Sequence, residues 1–281
     1  MIDLTRAYGL TFMFPQNDIT IGRALKTYGE FARPEVELII DHLAAAPAGT
    51  YVDVGGNIGA MALPVAKRLP QARVIAIEAQ RRLAGILAAN ALNNELFNID
   101  VLHAAAGAQS GLKAFPQATL DARFNFGMVG AAMTDLPSEM VRTCTLDEVA
   151  PANTRFVKID VQTFEPEVLK GAGRTIRETR PTWLIEADFK ASEANARSTM
   201  KTMMEANYRL YWVYSPFVTP MSEKGRPGKE ERIMGDMSYL ALPEGVEPIW
   251  PLTQIADLHE PKPTEMAAFP YLRRFGYVFR D

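Results

Sequence analysis

Two carboxylates flank a glycine-rich turn near the start of the chain. Asp53-Val54-Gly55-Gly56-Asn57-Ile58-Gly59 is followed, nineteen residues after Gly59, by Glu78 at the end of Val74-Ile75-Ala76-Ile77. Glycine has no Cβ, so a ligand can come close to the backbone of such a turn. A carboxylate ending the next apolar run can accept hydrogen bonds from both hydroxyls of a ribose. Together they read as a nucleoside site at the carboxyl edge of a parallel sheet. Three later acids, Asp160, Glu165 and Glu186, follow or flank further apolar runs. A carboxylate in a partly apolar pocket has a raised pKa and can take a proton from a hydroxyl.

The glycine spacing separates two kinds of nucleoside ligand. A dinucleotide fingerprint would read Gly-x-Gly-x-x-Gly, and its pyrophosphate prefers bare N–H groups at a helix N-terminus. Asp53 in front of the turn would repel a pyrophosphate. It suits a ligand carrying an ammonium and a sulfonium, which is S-adenosylmethionine. A nicotinamide oxidoreductase is disfavoured on the same ground. Asp160 and Glu186 with a neighbouring amide would also suit Mg²⁺, which takes oxygen ligands and keeps waters. Nothing in the spacing requires a metal, and none is expected.

The elements that must position these residues follow a strand–helix rhythm. Apolar positions at helical spacing from Val36 to Ala44, with Pro34 near the start, predict a first helix. Strands are expected at Thr50–Val54, Arg73–Ile77 and Ile99–Ala105, with helices at Ala60–Arg68 and Arg81–Leu92 between them. After an excursion from Gly107 to Thr143 come a short helix at Leu146–Val149, a strand at Arg155–Asp160 and a helix at Pro166–Thr179. A strand at Thr182–Glu186, a helix at Ala191–Ala206 and strands at Tyr208–Tyr214 and Met237–Leu242 complete the pattern. The rhythm predicts an α/β fold, a mostly parallel sheet with helices on both faces. Residues 1–33 show no clear periodicity and read as an N-terminal cap. Residues 34–245 read as the catalytic domain and 246–281 as a docked extension. Long loops tend to be functional, so Asn125-Phe126-Gly127-Met128 in the excursion reads either as an acceptor lid or as an ordinary packed loop.

Composition narrows the class. The 281 residues are 48% apolar and 22% charged with a net charge of −3, which makes no case for nucleic acid. A single cysteine, Cys144, excludes an intrachain disulfide framework and a thiolate zinc cluster. No run approaches the roughly 18 apolar residues of a membrane span, and the N-terminus lacks signal-peptide order, so a cytoplasmic location is expected.

The chain resembles the FkbM-type family of class I S-adenosylmethionine-dependent methyltransferases. The resemblance rests on six ordered segments over roughly residues 30–245: the turn Asp53–Gly59; Val74–Glu78; Leu87-Ala88-Ala89-Asn90 with Asn93; Thr145-Leu146-Asp147-Glu148 with Val157–Val161; Glu165–Ala172; and Arg180-Pro181 leading to Ile185-Glu186. Family members usually have Gly where this chain has Thr163, and more often Ala at Gly56. The resemblance implies a Rossmann-like, seven-stranded sheet whose last strand is antiparallel. It implies cofactor contacts from Gly55, Gly56, Asn57, Gly59 and Glu78. Asp53 meets the methionine end or offsets a helix dipole. Ala79 and Gln80 pack near the adenine, as does Ala105, while His103 reads as structural. Asp160, with Glu165 and Glu186, is the candidate base, Glu165 being equally a first-turn helix acid; Lys158 reads as structural. The expected reaction is O-methylation of a hydroxyl on a sugar, polyketide or other natural product. N-methylation, a peptide acceptor and a catalytically silent binding subunit are the rivals. The partners are then a hydroxylated small molecule and, for a homo-oligomer, a second copy of the chain.

Overall fold

Tyr8 and Gly9 both take positive φ, 52° and 67°. That is the backbone of a two-residue hairpin turn, and it joins β1 (Ile2–Ala7) to β2 (Leu10–Pro15). In the computed structural model, residues 1–130, 133 and 135–279 are described. Ala131, Ala132 and Thr134 of the excursion, and Arg280 and Asp281 of the extension, lie outside the described residues. The segment that shows no periodicity in sequence is therefore a hairpin followed by α1 (Ile21–Tyr28). Its strand signal is short: Leu10, Phe12 and Phe14 bury one face, and Pro15 ends the run.

The α/β rhythm starts with α2 (Arg33–Ala44), entered through Pro34 in its first turn. It continues through β3 (Thr50–Val54), α3 (Ala62–Arg68), β4 (Arg73–Glu78), α4 (Arg81–Asn93) and β5 (Ile99–His103). The third strand of the rhythm ends two residues before its expected end. Ala105–Ala106 form β6, which leaves the main sheet and pairs with β8 (Ser138–Cys144); β7 (Gly111–Pro116) pairs on its other side. The excursion is thus a hairpin with a long loop. A capping box of Thr145 and Glu148 starts α5 (Leu146–Val149), and β9 (Thr154–Ile159) and α6 (Glu165–Lys170) follow. The helix expected through Thr179 stops at Lys170, where Gly171 caps it. Thr175–Thr179 then form a separate wide turn, with Arg180 N–H donating to Thr175 O. The chain closes with β10 (Thr182–Glu186), α7 (Phe189–Glu205), β11 (Tyr208–Pro216), β12 (Gly235–Pro243) and β13 (Thr253–Ile255).

The main sheet has the order β13-β11-β12-β10-β9-β3-β4-β5. β10, β9, β3, β4 and β5 are parallel, and β12 runs antiparallel to both neighbours. This is the expected seven-stranded arrangement with one addition, the three-residue β13 of the extension, on the outer edge of β11. Five parallel strands end on one edge, and β12 begins there. The turn after Val54, Glu78, Asp160, Glu186 and Asp236 are therefore brought to the same side of the molecule.

Side chains bind the termini to this frame. Asn90 of α4 accepts from Met13 N–H at 2.6 Å and donates to Met13 O and to Ile58 O, each at 3.0 Å. One turn on, Asn94 accepts from Thr11 N–H and donates to Thr11 O. The two amides thus act as a ladder partner for β2. Ser238 of β12 donates to Glu35 of α2, and Trp250 of the extension donates to Asp41. Among the described residues no helix is long and apolar enough to cross a membrane.

Candidate active site

The glycine turn is set by contact. Gly55 has φ +90°, and a Cβ there would stand 1.9 Å from Asp160 O. Its N–H and that of Gly56 both donate to Ile77 O, at 2.9 and 3.0 Å, which pins the turn to β4. Gly56 is packed from outside, with Leu87 at 2.9 Å from a notional Cβ. Asn57 has φ 48°, and its side chain accepts from Ile58 N–H at 2.8 Å. Such a local bond makes left-handed backbone accessible to Asn.

Glu78 is buried and gripped from both sides. One carboxylate oxygen accepts from Asn57 N–H at 2.8 Å and the other from Gln80 N–H at 2.7 Å. Burial pushes its pKa up to about 7 against those two bonds. The Gln80 amide reaches across to donate to Phe126 O at 2.9 Å, and Gln117 donates to Ala79 O at 3.2 Å. The excursion is thereby tied to the Glu78 turn. It is also tied to the N-terminal segment, where Ile19 N–H donates to Phe124 O and Phe124 N–H donates to Asn17 O.

These parts enclose one cavity. It is lined by Gly55, Gly56, Asn57, Glu78, Ala79, Gln80, Ala105 and Asp160, with Phe126, Gly127 and Val129 from the excursion and Ile21, Phe31 and Ala32 from the N-terminal segment. Of the proposed lid, Phe126 is fully buried against the cavity while Met128 is exposed. Gly59, Asp53 and Glu165 do not line it. Gly59 packs its turn against Leu63. Asp53 lies beneath the floor, 1% exposed; burial raises its pKa to about 6 despite nearby Lys158. Glu165 opens α6 and accepts from Val161 N–H at 3.0 Å, so its carboxylate shapes the loop after β9.

Sequence reasoning missed four lining residues: Glu35, Lys158, Gln162 and Asp236. Glu35 sits one turn before Ile39 on the apolar stripe of α2, and that spacing was the available signal. Lys158, opposite Asp53 in the β3–β9 register, forms an ion pair with Asp160 at 3.0 Å. Gln162 takes φ 53° and Thr163 φ 71°, so the position that is usually Gly in the resembling family is left-handed here. The Gln162 amide donates to Asp160 at 3.0 Å and to Glu186 at 3.1 Å. Among the described residues no three His, Cys, Asp or Glu side chains are grouped as metal ligands.

The two carboxylates differ in charge. Burial raises Asp160, but the charge of Lys158 and hydrogen bonds from Glu186, Lys158 and the Gln162 amide outweigh it and hold the group below the usual range. Burial, then the charge of Asp160, pushes Glu186 well above its ordinary value. Asp160 is thus the more acidic member of the pair, and Glu186 holds its proton the more strongly. Glu186 faces a neighbouring cavity, which shares Asp236 with the first.

The chemistry of this donor set fits S-adenosylmethionine. An anchored carboxylate suits a ribose, Ile77, Ala104–Ala106 and Phe115 offer an apolar slot, and Asp160, held below the usual carboxylate range, supplies negative charge for a cationic group.

Residues 53–210 match the model of the methyltransferase FkbM domain. Among solved structures, the methyltransferase FkbM from Methylobacillus flagellatus KT aligns at 18% identity and a TM-score of 0.45, over 69% of this chain and 43% of its own length. The O-methyltransferase TomG from Streptomyces achromogenes, solved with S-adenosylmethionine, aligns at 14% identity and a TM-score of 0.45, over 75% of this chain and 80% of its own. A Thermotoga maritima S-adenosylmethionine-dependent O-methyltransferase aligns at 14% and 0.43, over 76% and 66%. The chain thus spans less than half the length of the Methylobacillus protein. No curated protein matches the sequence.

Proposed function

The chain belongs to the FkbM methyltransferase family, and we propose that it transfers the methyl group of S-adenosylmethionine to a hydroxyl oxygen of a small molecule. The observation that carries the reading is Glu78. Its carboxylate is held by two backbone N–H groups beside the glycine turn and lines the cavity that Asp160 also lines. Residues 34–245 form the catalytic unit, with 1–33 closing the donor cavity and 246–281 docked beside it.

In this reading Glu78 accepts from the ribose hydroxyls, while Ala79, Gln80 and Ala105 border the adenine. Gly55, Gly56 and Asn57 present backbone to the methionine part, and Asp160 balances its ammonium. When bound, the cofactor supplies a methyl carbon already activated by its sulfonium charge. The protein aligns the acceptor oxygen in line with that carbon. With the cofactor bound, the acceptor oxygen would displace the sulfur from the methyl carbon as a neutral thioether, and the hydroxyl proton would pass to Asp160. Lys158 and Gln162 keep Asp160 ionised and aimed for that step. The excursion and the N-terminal segment exclude water.

Calorimetry with S-adenosylmethionine, S-adenosylhomocysteine and NADH tests the donor half. The first two should bind and the third should not; binding of NADH alone overturns the reading. Transfer of labelled methyl to a panel of alcohols and amines tests the acceptor half, and label appearing on amines alone would reject the hydroxyl.

A further inference from the structure

The loop after β9 is strained, and three other parts of the chain hold it. Gln162 and Thr163 both have positive φ, 53° and 71°. Left-handed backbone is costly for residues other than Gly, Asn and Asp, and for a β-branched residue it is a true outlier. Such strain persists only where the surroundings over-determine it, and it gathers at functional sites. Glu165 accepts from Val161 N–H, just before the pair, at 3.0 Å. Gly130 of the excursion comes so near that a Cβ there would stand 2.9 Å from Gln162 O. Asn195 of α7 donates to Thr163 O at 2.6 Å.

A break in α7 puts Asn195 in reach. Asp188 caps the first turn of that helix, accepting from Lys190 N–H and Ala191 N–H. At Ser192 the backbone leaves helical angles, with φ −158° and ψ 93°. The Ser192 hydroxyl then accepts from Asn195 N–H at 3.3 Å, the bond of an N-cap to its third residue. The helix starts afresh there, and Asn195 lies in the new first turn. Asn195 lines neither the donor cavity nor its neighbour.

We propose that Asn195 is a positioning residue: by holding the Thr163 carbonyl it keeps the loop left-handed, and so keeps the Gln162 amide across Asp160 and Glu186. This rests on the methyltransferase reading above, in which Asp160 takes the hydroxyl proton, and adds to it the part that sets the reach of Gln162. The amide meets Asp160 at 3.0 Å and Glu186 at 3.1 Å with residue 162 left-handed. A change of φ at 162 or 163 swings that side chain away from the two carboxyl groups. The Asn195 bond opposes the change, because rotating the Thr163–Phe164 peptide breaks it. Glu165 and Gly130 act on Val161 and Gln162; the Thr163 carbonyl depends on Asn195. The need for a brace is this chain's own. Where the resembling family usually has Gly, which takes positive φ freely, this chain has Thr163 and must hold it.

The test follows the Gln162 side-chain amide by ¹H–¹⁵N NMR on the full chain, free and with S-adenosylhomocysteine. Gln162→Leu identifies the signal by its loss. Asn195→Ala removes the brace, and Asn195→Asp keeps its size but removes the donor. Both should speed exchange of the Gln162 amide protons with water at least about tenfold, while the melting temperature reports folding. Thr163→Gly added to Asn195→Ala should bring the rate back to within about threefold of wild type, because glycine needs no brace. A merely structural bond would lower the melting temperature and leave the Gln162 signal in place. Unchanged exchange in both Asn195 variants, or a double variant no slower than Asn195→Ala, overturns the proposal while the methyltransferase reading stands. Failure of S-adenosylhomocysteine to bind wild type overturns that reading instead, and the Gln162 signals of the free chain still decide whether Asn195 sets the amide.

Discussion

Glu78→Gln is the sharpest probe of the donor site. The glutamate accepts two backbone N–H bonds, at 2.8 and 2.7 Å, one on each oxygen. Glutamine keeps one acceptor and turns an NH₂ donor toward the other N–H, so one charge-assisted bond is lost and a ribose contact weakens. At about 1.5–3 kcal/mol for such bonds, S-adenosylmethionine affinity should fall between roughly tenfold and 150-fold. The pH dependence gives a second measure. Burial holds the Glu78 pKa up at about 7, so the group goes from about one-tenth ionised at pH 6 to about nine-tenths at pH 8. A ribose hydroxyl donates to the ionised form. Wild-type affinity should therefore weaken about tenfold from pH 8 to pH 6, and the Gln variant should lack this component. The variant subtracts the titration of Glu35 and Asp236, which line the same cavity. Stability has the opposite sign. A carboxyl whose folded pKa is raised from 4.5 to about 7 contributes most below the ordinary value and loses that contribution as pH rises through 7. For this group the loss is about 3 kcal/mol. Apo wild type should thus lose more denaturation free energy between pH 5 and pH 8 than apo Glu78→Gln. Calorimetric titration at three pH values and urea unfolding at two are sufficient. Equal affinity and equal pH slope in the two proteins would refute the reasoning and remove Glu78 from the site.

Three further perturbations address other links. Asn90→Ala leaves a backbone N–H and two carbonyls of buried segments without their partner, so unfolding free energy should drop by about 2–4 kcal/mol; a change under about 0.5 kcal/mol would show that the hairpin is not held there. Thr163→Gly relieves left-handed strain of about 1–2 kcal/mol at φ 71° and adds about 0.5–1 kcal/mol of backbone entropy cost, so urea unfolding should show a small gain in stability, and a clear loss would contradict the strain argument. Lys158→Met removes the cation from Asp160. It should cost about 3 kcal/mol of stability and move the acid limb of the kcat–pH profile upward, because the largest influence opposing burial at Asp160 is then gone; an unmoved limb would separate Asp160 from the proton transfer.

Legibility in the sequence followed locality. The glycine turn and Glu78 stand in consecutive apolar strands, where spacing alone places them on one edge. Period-2 alternation says that Asp53 and Val54 face opposite ways but not which way is the cavity; the β3–β9 pairing decides that, and it sets Asp53 beside Lys158 under the floor. Gln162 gave no signal, because its position depends on two consecutive left-handed residues in a loop. Asp236 was hidden for a different reason. It reaches the site only because β12 pairs with β10, across a gap of some fifty residues. Glu35 was readable, as an acid on the buried stripe of α2, yet its bond to Ser238 was not.

The place of β12 between β10 and β11 has a consequence for how the molecule is made. A ribosome releases β10, then β11, and only later the strand that must lie between them. Until then both carry unpaired edges, the features by which strands add to foreign chains. Glu35 and Asp41 of α2 wait for partners some two hundred residues downstream. Contacts so distant along the chain make folding slow. The nascent chain therefore has its glycine turn long before it has a closed pocket, and a chain interrupted before residue 235 is a sheet with two open edges.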